Sequence, residues 1–65
     1  MTKIAKYIIK YRTQVINWAK KNLSAKKFKE LYDAIKAGLV AVQEFCGRNA
    51  KTCWSIFWNV ITNLI

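Results

Sequence analysis

The last thirteen residues, Cys53 to Ile65 (CWSIFWNVITNLI), carry no charge, and the rest of the chain must accommodate them. From Trp54 onward eight positions are apolar: Trp54, Ile56, Phe57, Trp58, Val60, Ile61, Leu64 and Ile65. At helical spacing Trp54, Phe57, Trp58, Ile61, Leu64 and Ile65 form one wide stripe, with Ser55, Asn59, Thr62 and Asn63 on the narrow opposite side. Such a helix rises only about 20 Å, well short of the roughly 20 residues that cross a bilayer. The expectation is therefore a core helix whose stripe is buried by the upstream chain.

What lies upstream is strongly basic. Residues 1–29 hold Lys3, Lys6, Lys10, Arg12, Lys20, Lys21, Lys26, Lys27 and Lys29 and no acid, a net of +9. Residues 30–65 set Lys36, Arg48 and Lys51 against Glu30, Asp33 and Glu44, a net of zero. A basic half joined to a neutral, apolar half attracts anionic partners, either a phospholipid surface or a nucleic acid. Charge by itself does not choose between them.

Proline is absent and there are two glycines, so long helices are open to this chain and tight hairpins are scarce. The fold class expected is all-α, a compact bundle of three to four helices in one domain, residues 1–65. An apolar fraction of 54% and an aromatic share of 14% argue against disorder. A chain this short buries only about 60% of the surface it exposes when unfolded, so a staple is expected.

Residues 2–22 read as one amphipathic helix. Ile4, Ile8, Tyr11, Val15, Trp18 and Ala19 would face the core, widened by Ala5, Ile9 and Ile16, opposite Lys3, Lys6, Lys10, Thr13, Asn17 and Lys20. A polar stripe of this kind is ordinarily just solvated. Its lack of any acid sets it apart, because a stripe serving solubility alone interleaves both signs. Tyr7, Tyr11 and Trp18 at its apolar boundary suit a bilayer interface.

Ser24 is a candidate N-cap for a second helix over 24–37. Lys26, Lys27 and Lys29 in its first turns run against the helix dipole, and Lys26–Glu30 and Lys29–Asp33 are i,i+4 pairs that recover a few tenths of a kcal/mol each. The apolar pattern then continues through Phe28, Leu31, Tyr32, Ile35, Leu39, Val42, Phe45 and Cys46, with a boundary or bend expected at Gly38 and a third segment over 39–46. Gly47 is expected to end that segment, and Asn49 or Thr52 to cap a last helix over 52–64.

Cys46 and Cys53 would stand about 10 Å apart on one continuous helix, too far for a disulfide, so bonding requires a turn between them. A bond would close an eight-residue loop and contribute about 2.5 kcal/mol on the chain-entropy account. The alternative is two buried thiols acting as small hydrophobes. A disulfide implies an oxidising, extracellular destination.

The chain has no histidine, no glycine-rich phosphate loop and no cluster with metal-ligand spacing, so neither a metal nor a cofactor is expected. Glu30, Asp33 and Glu44 lack a pocket in which to do acid–base work, and the chain is not expected to be an enzyme. Three tryptophans, Trp18, Trp54 and Trp58, are dense for 65 residues, and tryptophan favours the bilayer interface. No apolar run after Met1 has the length or the cleavage site of a secretory signal, so export would be of the whole chain.

The segment Lys10-Tyr11-Arg12-Thr13-Gln14-Val15-Ile16-Asn17-Trp18-Ala19-Lys20-Lys21-Asn22 resembles the signature of the leaderless bacteriocins of the aureocin and lacticin Q type. That resemblance implies a saposin-like bundle of four helices, secreted without a cleaved leader, that attacks bacterial membranes with no protein receptor. Under this reading Lys3, Lys6, Lys10, Arg12, Lys20, Lys21, Lys26, Lys27 and Lys29 draw the bundle to anionic phospholipid. Trp18, Trp54 and Trp58 then insert. Two other readings use the same basic face: a bacteriocin immunity protein, and a small nucleic-acid-binding module. The second lacks a recognisable reading helix.

Overall fold

The computed structural model describes residues 1–65 and is helical almost throughout, without strands. Its elements are α1 (Thr2–Lys10), α2 (Arg12–Asn22), α3 (Ala25–Ala37), α4 (Leu39–Arg48) and α5 (Ala50–Asn59), followed by a single 3₁₀ turn, Ile61–Asn63. The expectation of three to four helices is corrected to five.

The additional helix arises because residues 2–22 do not form one rod. The chain bends at Tyr11, whose φ of −110° and ψ of 35° leave the helical region. Neither proline nor glycine is present to cause this. Length supplies the reason: 21 helical residues would run about 31 Å, whereas the longest dimension of the molecule is 24 Å. A straight rod would overhang the core, so α1 turns onto α4 and α5 while α2 packs on α3. Arg12 Nη1 donates to the Ile9 carbonyl at the bend, 3.2 Å away.

Two expected boundaries follow local chemistry. Ser24 Oγ accepts from the Lys27 N–H at 3.2 Å and starts α3. Gly38 separates α3 from α4 with φ 116° and ψ −171°, a backbone region open essentially to glycine alone. Gly47 does the opposite of what was expected: it lies within α4, which runs on to Arg48. The corner falls at Asn49 instead. Asn49 does not cap α5 forward; its Nδ2 donates backward to the Phe45 carbonyl at 3.1 Å, and its Oδ1 accepts from Lys27 Nζ. Thr52 sits inside α5, which begins at Ala50 and ends at Asn59, rather than spanning 52–64.

Cys46 and Cys53 are joined by a disulfide across this corner, with Cα atoms 5.6 Å apart. The turn at Asn49 is what brings them into range.

Fifteen buried residues form one apolar cluster to which every element contributes. Helix α4 is its centre, lying against α1, α3 and α5 and supplying Val42, Phe45 and Cys46. Phe45 is among the largest side chains fully enclosed. Around it stand Ile4, Ala5 and Ile8 of α1, Val15 and Ala19 of α2, and Leu31, Ala34 and Ile35 of α3. Tyr11 and Trp18, expected inside, are only half-buried. No polar or charged residue is buried, so the interior is held by apolar contact and the one covalent link.

The expectation for the C-terminal segment is corrected in part: of its expected stripe Ile61 is enclosed and Phe57 half-buried, but the other four residues are not. Its inward face is Cys53, Ile56, Val60 and Ile61, while Trp54, Trp58, Leu64 and Ile65 are exposed. The disulfide fixes this rotation. With Cys53 turned toward α4, Ile56 and Val60 follow at i+3 and i+7 on the same side, whereas Trp54 and Trp58 stand about 100° and 140° around the helix from it. Phe57, about 40° away, is half-buried against the core.

Candidate functional site

The surface divides into a cationic region and an aromatic edge. Lys3, Lys6 and Lys10 project from α1, Arg12, Lys20 and Lys21 from α2, and Lys26, Lys27 and Lys29 from α3. Eight of the nine are exposed. Lys27 is the exception, half-buried and committed to Asn49, so it secures the start of α3 to the α4–α5 corner. Lys29 alone meets a carboxylate, Asp33 at 3.0 Å, in an exposed pair of small energetic weight. The expected Lys26–Glu30 pair does not form.

All three acids of the chain converge on one side, where Asp33 also meets Lys29. Glu30, Asp33 and Glu44 line one open groove of about 510 Å³ between α3 and α4, with Arg48 at its edge. Sequence spacing places Glu30 and Asp33 near each other but gives no sign of Glu44 joining them; only the packing of α3 on α4 does that. Most of the cations therefore stand with no acid beside them, and their field is not locally cancelled.

The aromatic edge belongs to α5. Trp58 is 64% exposed and Trp54 46%, and both rings meet Phe57 edge-to-face, with centroids 5.3 and 5.9 Å from it. Leu64 and Ile65, the latter 62% exposed, extend the apolar surface past the last turn. Spacing assigns Trp54, Trp58, Leu64 and Ile65 alike to the buried stripe. For the two tryptophans the outward signal is Cys53, which sets the inward phase of α5; Leu64 and Ile65 lie beyond the end of that helix.

The polar groups on this segment point back into its own backbone. Asn59 Nδ2 donates to the Ser55 carbonyl at 2.8 Å, Thr62 Oγ1 to Trp58 at 2.7 Å and Asn63 Nδ2 to Asn59 at 3.0 Å. Carbonyls at the end of a helix otherwise need water. Two of these bonds, to the Trp58 and Asn59 carbonyls, serve the last turn of α5, which lowers the cost of moving this end into an apolar medium.

The structure does not gather all the nominated residues in one patch. Helices α2 and α3, which carry six of the nine cations, make no substantial contact with α5. Helix α1 is the bridge: it lies along α5 and brings Lys3 to the same groove as Trp54. Trp18, on α2, is half-buried against the core and apart from the other two tryptophans. Tyr7 and Tyr11 stack at 6.4 Å along α1, with Lys10 Nζ 5.4 Å from the Tyr11 ring.

No group of three or more His, Cys, Asp or Glu side chains is placed to hold a metal ion. No helix is long and apolar enough to cross a membrane. No protein-family model, curated protein or solved structure matches this chain.

Proposed function

We propose that this protein is a secreted antimicrobial protein that binds anionic bacterial membranes through its cationic region and makes them leaky, a bacteriocin of the leaderless type that its Lys10–Asn22 segment resembles. The observation that carries the reading is the exposure of Trp54 and Trp58, with Leu64 and Ile65, on a folded chain whose acids are confined to a different groove. Two solvated tryptophans beside Leu64 and Ile65 make a contiguous apolar edge rather than a scattered exposure, and the headgroup region of a bilayer suits their amphipathic rings.

Attraction comes first. Each lysine or arginine that reaches an anionic surface contributes about 1 kcal/mol, so half a dozen supply about 6. Micromolar binding needs about 8 kcal/mol. Burial of the two exposed indoles covers the remainder. Because the indoles are already outside, this step needs no opening of the bundle. Permeabilisation then follows as α5 sinks into the interface, with the Trp58 and Asn59 carbonyls of its last turn already hydrogen-bonded by Thr62 and Asn63. A saposin-like parting of helix pairs is the rearrangement this reading favours, with α4 and α5 moving together as a disulfide-linked unit. The phospholipid itself is the target, with no protein receptor.

The test is dye release from phosphatidylglycerol-rich vesicles beside purely zwitterionic ones, with tryptophan emission followed in the same samples. Leakage and a blue shift restricted to the anionic vesicles are expected. Intact anionic vesicles with unshifted emission would remove the reading. Exchanging Lys3, Lys6 and Lys10 for glutamate should abolish leakage while the helical spectrum is kept.

A further inference from the structure

A groove of about 400 Å³ runs between the start of α1 and the middle of α5, lined by Met1, Ile4, Tyr7, Trp54 and Phe57. Thr2 and the exposed Lys3 complete its wall. Its size is that of a small-ligand site, about 300–1,000 Å³, and its surface is almost wholly apolar. None of the three acids borders it. We infer that this groove seats one acyl chain of an anionic phospholipid, with Lys3 at its edge drawing the headgroup. The inference rests on the membrane reading and gives it a specific lipid contact.

Three observations select this occupant. The lining has few hydrogen-bonding groups, so a peptide would leave backbone donors and acceptors unpaired, whereas a hydrocarbon chain has none to satisfy. A second copy of the protein would bring another net charge of +9 to a cationic edge, which is repulsive. An anionic amphiphile matches both parts of the site, chain to groove and head to lysine. The walls also belong to different helices, α1 and α5, which meet here but are not covalently joined to each other. A chain lodged between them would anchor the aromatic edge to one lipid and wedge the two helices at the point where the bundle would part.

The experiment is a titration of the intact, disulfide-bonded protein with lysophosphatidylglycerol below its micelle concentration, followed residue by residue by NMR. Lysophosphatidylcholine and glycerol phosphate serve as the uncharged-net and chain-free comparisons. Saturable shifts centred on Ile4, Tyr7, Trp54 and Phe57 are expected with lysophosphatidylglycerol. Glycerol phosphate should leave these residues unmoved. Lys3→Glu should weaken lysophosphatidylglycerol about tenfold and leave lysophosphatidylcholine unchanged. Thr2→Trp, at an exposed position on the groove wall, should fill the space and weaken both lipids without disturbing the core signals of Phe45 and Val42. Shifts confined to Trp58, Leu64 and Ile65, equal shifts with glycerol phosphate, or undiminished binding by the Thr2→Trp protein would each overturn the inference. Vesicle leakage separates the two ideas. If the Thr2→Trp protein leaks anionic vesicles as well as the parent does, the groove is dispensable and the inference fails while the membrane reading stands. If the parent binds lysophosphatidylglycerol in the groove yet leaves vesicles intact, the groove stands and the membrane reading fails.

Discussion

Helices α1 and α5 lie side by side and sort their side chains by opposite rules. Helix α1 turns Ile4, Ala5 and Ile8 inward and leaves Lys3, Lys6 and Lys10 in water. Helix α5 turns Cys53 and Ile56 inward and leaves its two largest side chains, Trp54 and Trp58, outside. Both rest on α4, so the same core accepts one helix by its most apolar face and the other by a smaller one. The difference teaches where the molecule keeps stability and where it keeps contact surface. In α1 the apolar residues hold the fold together. In α5 the fold is held by a short aliphatic face and a disulfide, which frees the aromatic residues for something outside the chain.

The comparison breaks most readily in the core. Ile8→Ala should cost about 2–5 kcal/mol in denaturant unfolding, and Ile56→Ala a similar amount, because both side chains are fully enclosed. A cost under about 1 kcal/mol at Ile56 would mean that α5 is not seated by the face described. Next comes the covalent link. Replacing Cys46 and Cys53 together by alanine should remove about 2.5 kcal/mol, and the loss should be visible first as weakened protection from hydrogen exchange in α5. Equal loosening of α1 would deny α5 its special dependence on the bond.

The two glycines then test how α4, the shared support, is built. At Gly38 an added Cβ meets nothing within 4 Å, yet φ is 116°, so Gly38→Ala should cost about 1–3 kcal/mol from backbone strain alone. At Gly47 the space is equally open and the backbone is helical, so Gly47→Ala should stabilise by about 0.4–1 kcal/mol. Opposite signs in thermal unfolding are the expected result; the same sign at both sites would contradict the described ends of α4. The smallest effect on folding is expected at the aromatic edge, where Trp58→Ala should change stability by less than about 0.5 kcal/mol. The same substitution should reduce the emission shift on anionic vesicles, since the most exposed indole is gone.

Much of this organisation was legible in the sequence, and the parts that were not share a cause. The face of α1 could be read because lysines marked the outside: with Lys3, Lys6 and Lys10 at solvent, Ile4 and Ile8 had one place to go. Ser24 and Gly38 were readable as boundaries because a cap and a glycine-only conformation are local properties of one or two residues. The final segment carries no charge, so its outer face is marked only by the narrow polar side of Ser55, Asn59, Thr62 and Asn63. Spacing makes the wider stripe with both tryptophans the inner one, whereas the core takes the smaller face of Cys53, Ile56 and Val60. Among the nominated site residues, the cations could be recognised as exposed, but not that α2 and α3 hold most of them away from the aromatic edge.

By itself the sequence determined that the chain is helical, that its first 29 residues present cations to solvent, and that two cysteines flank a turn. These follow from propensity, periodicity and the solvation of charge, which act over a few residues. Only the tertiary structure decided that residues 2–22 bend at Tyr11, that Glu30, Asp33 and Glu44 share one groove, and that Trp54 and Trp58 face outward. Each of those depends on a constraint between distant parts of the chain: the 24 Å span of the molecule, the packing of α3 on α4, and the bond that turns Cys53 toward α4. A local pattern can state which residues avoid water, but when apolar residues exceed what one small core can enclose, the geometry of the core chooses which of them it covers.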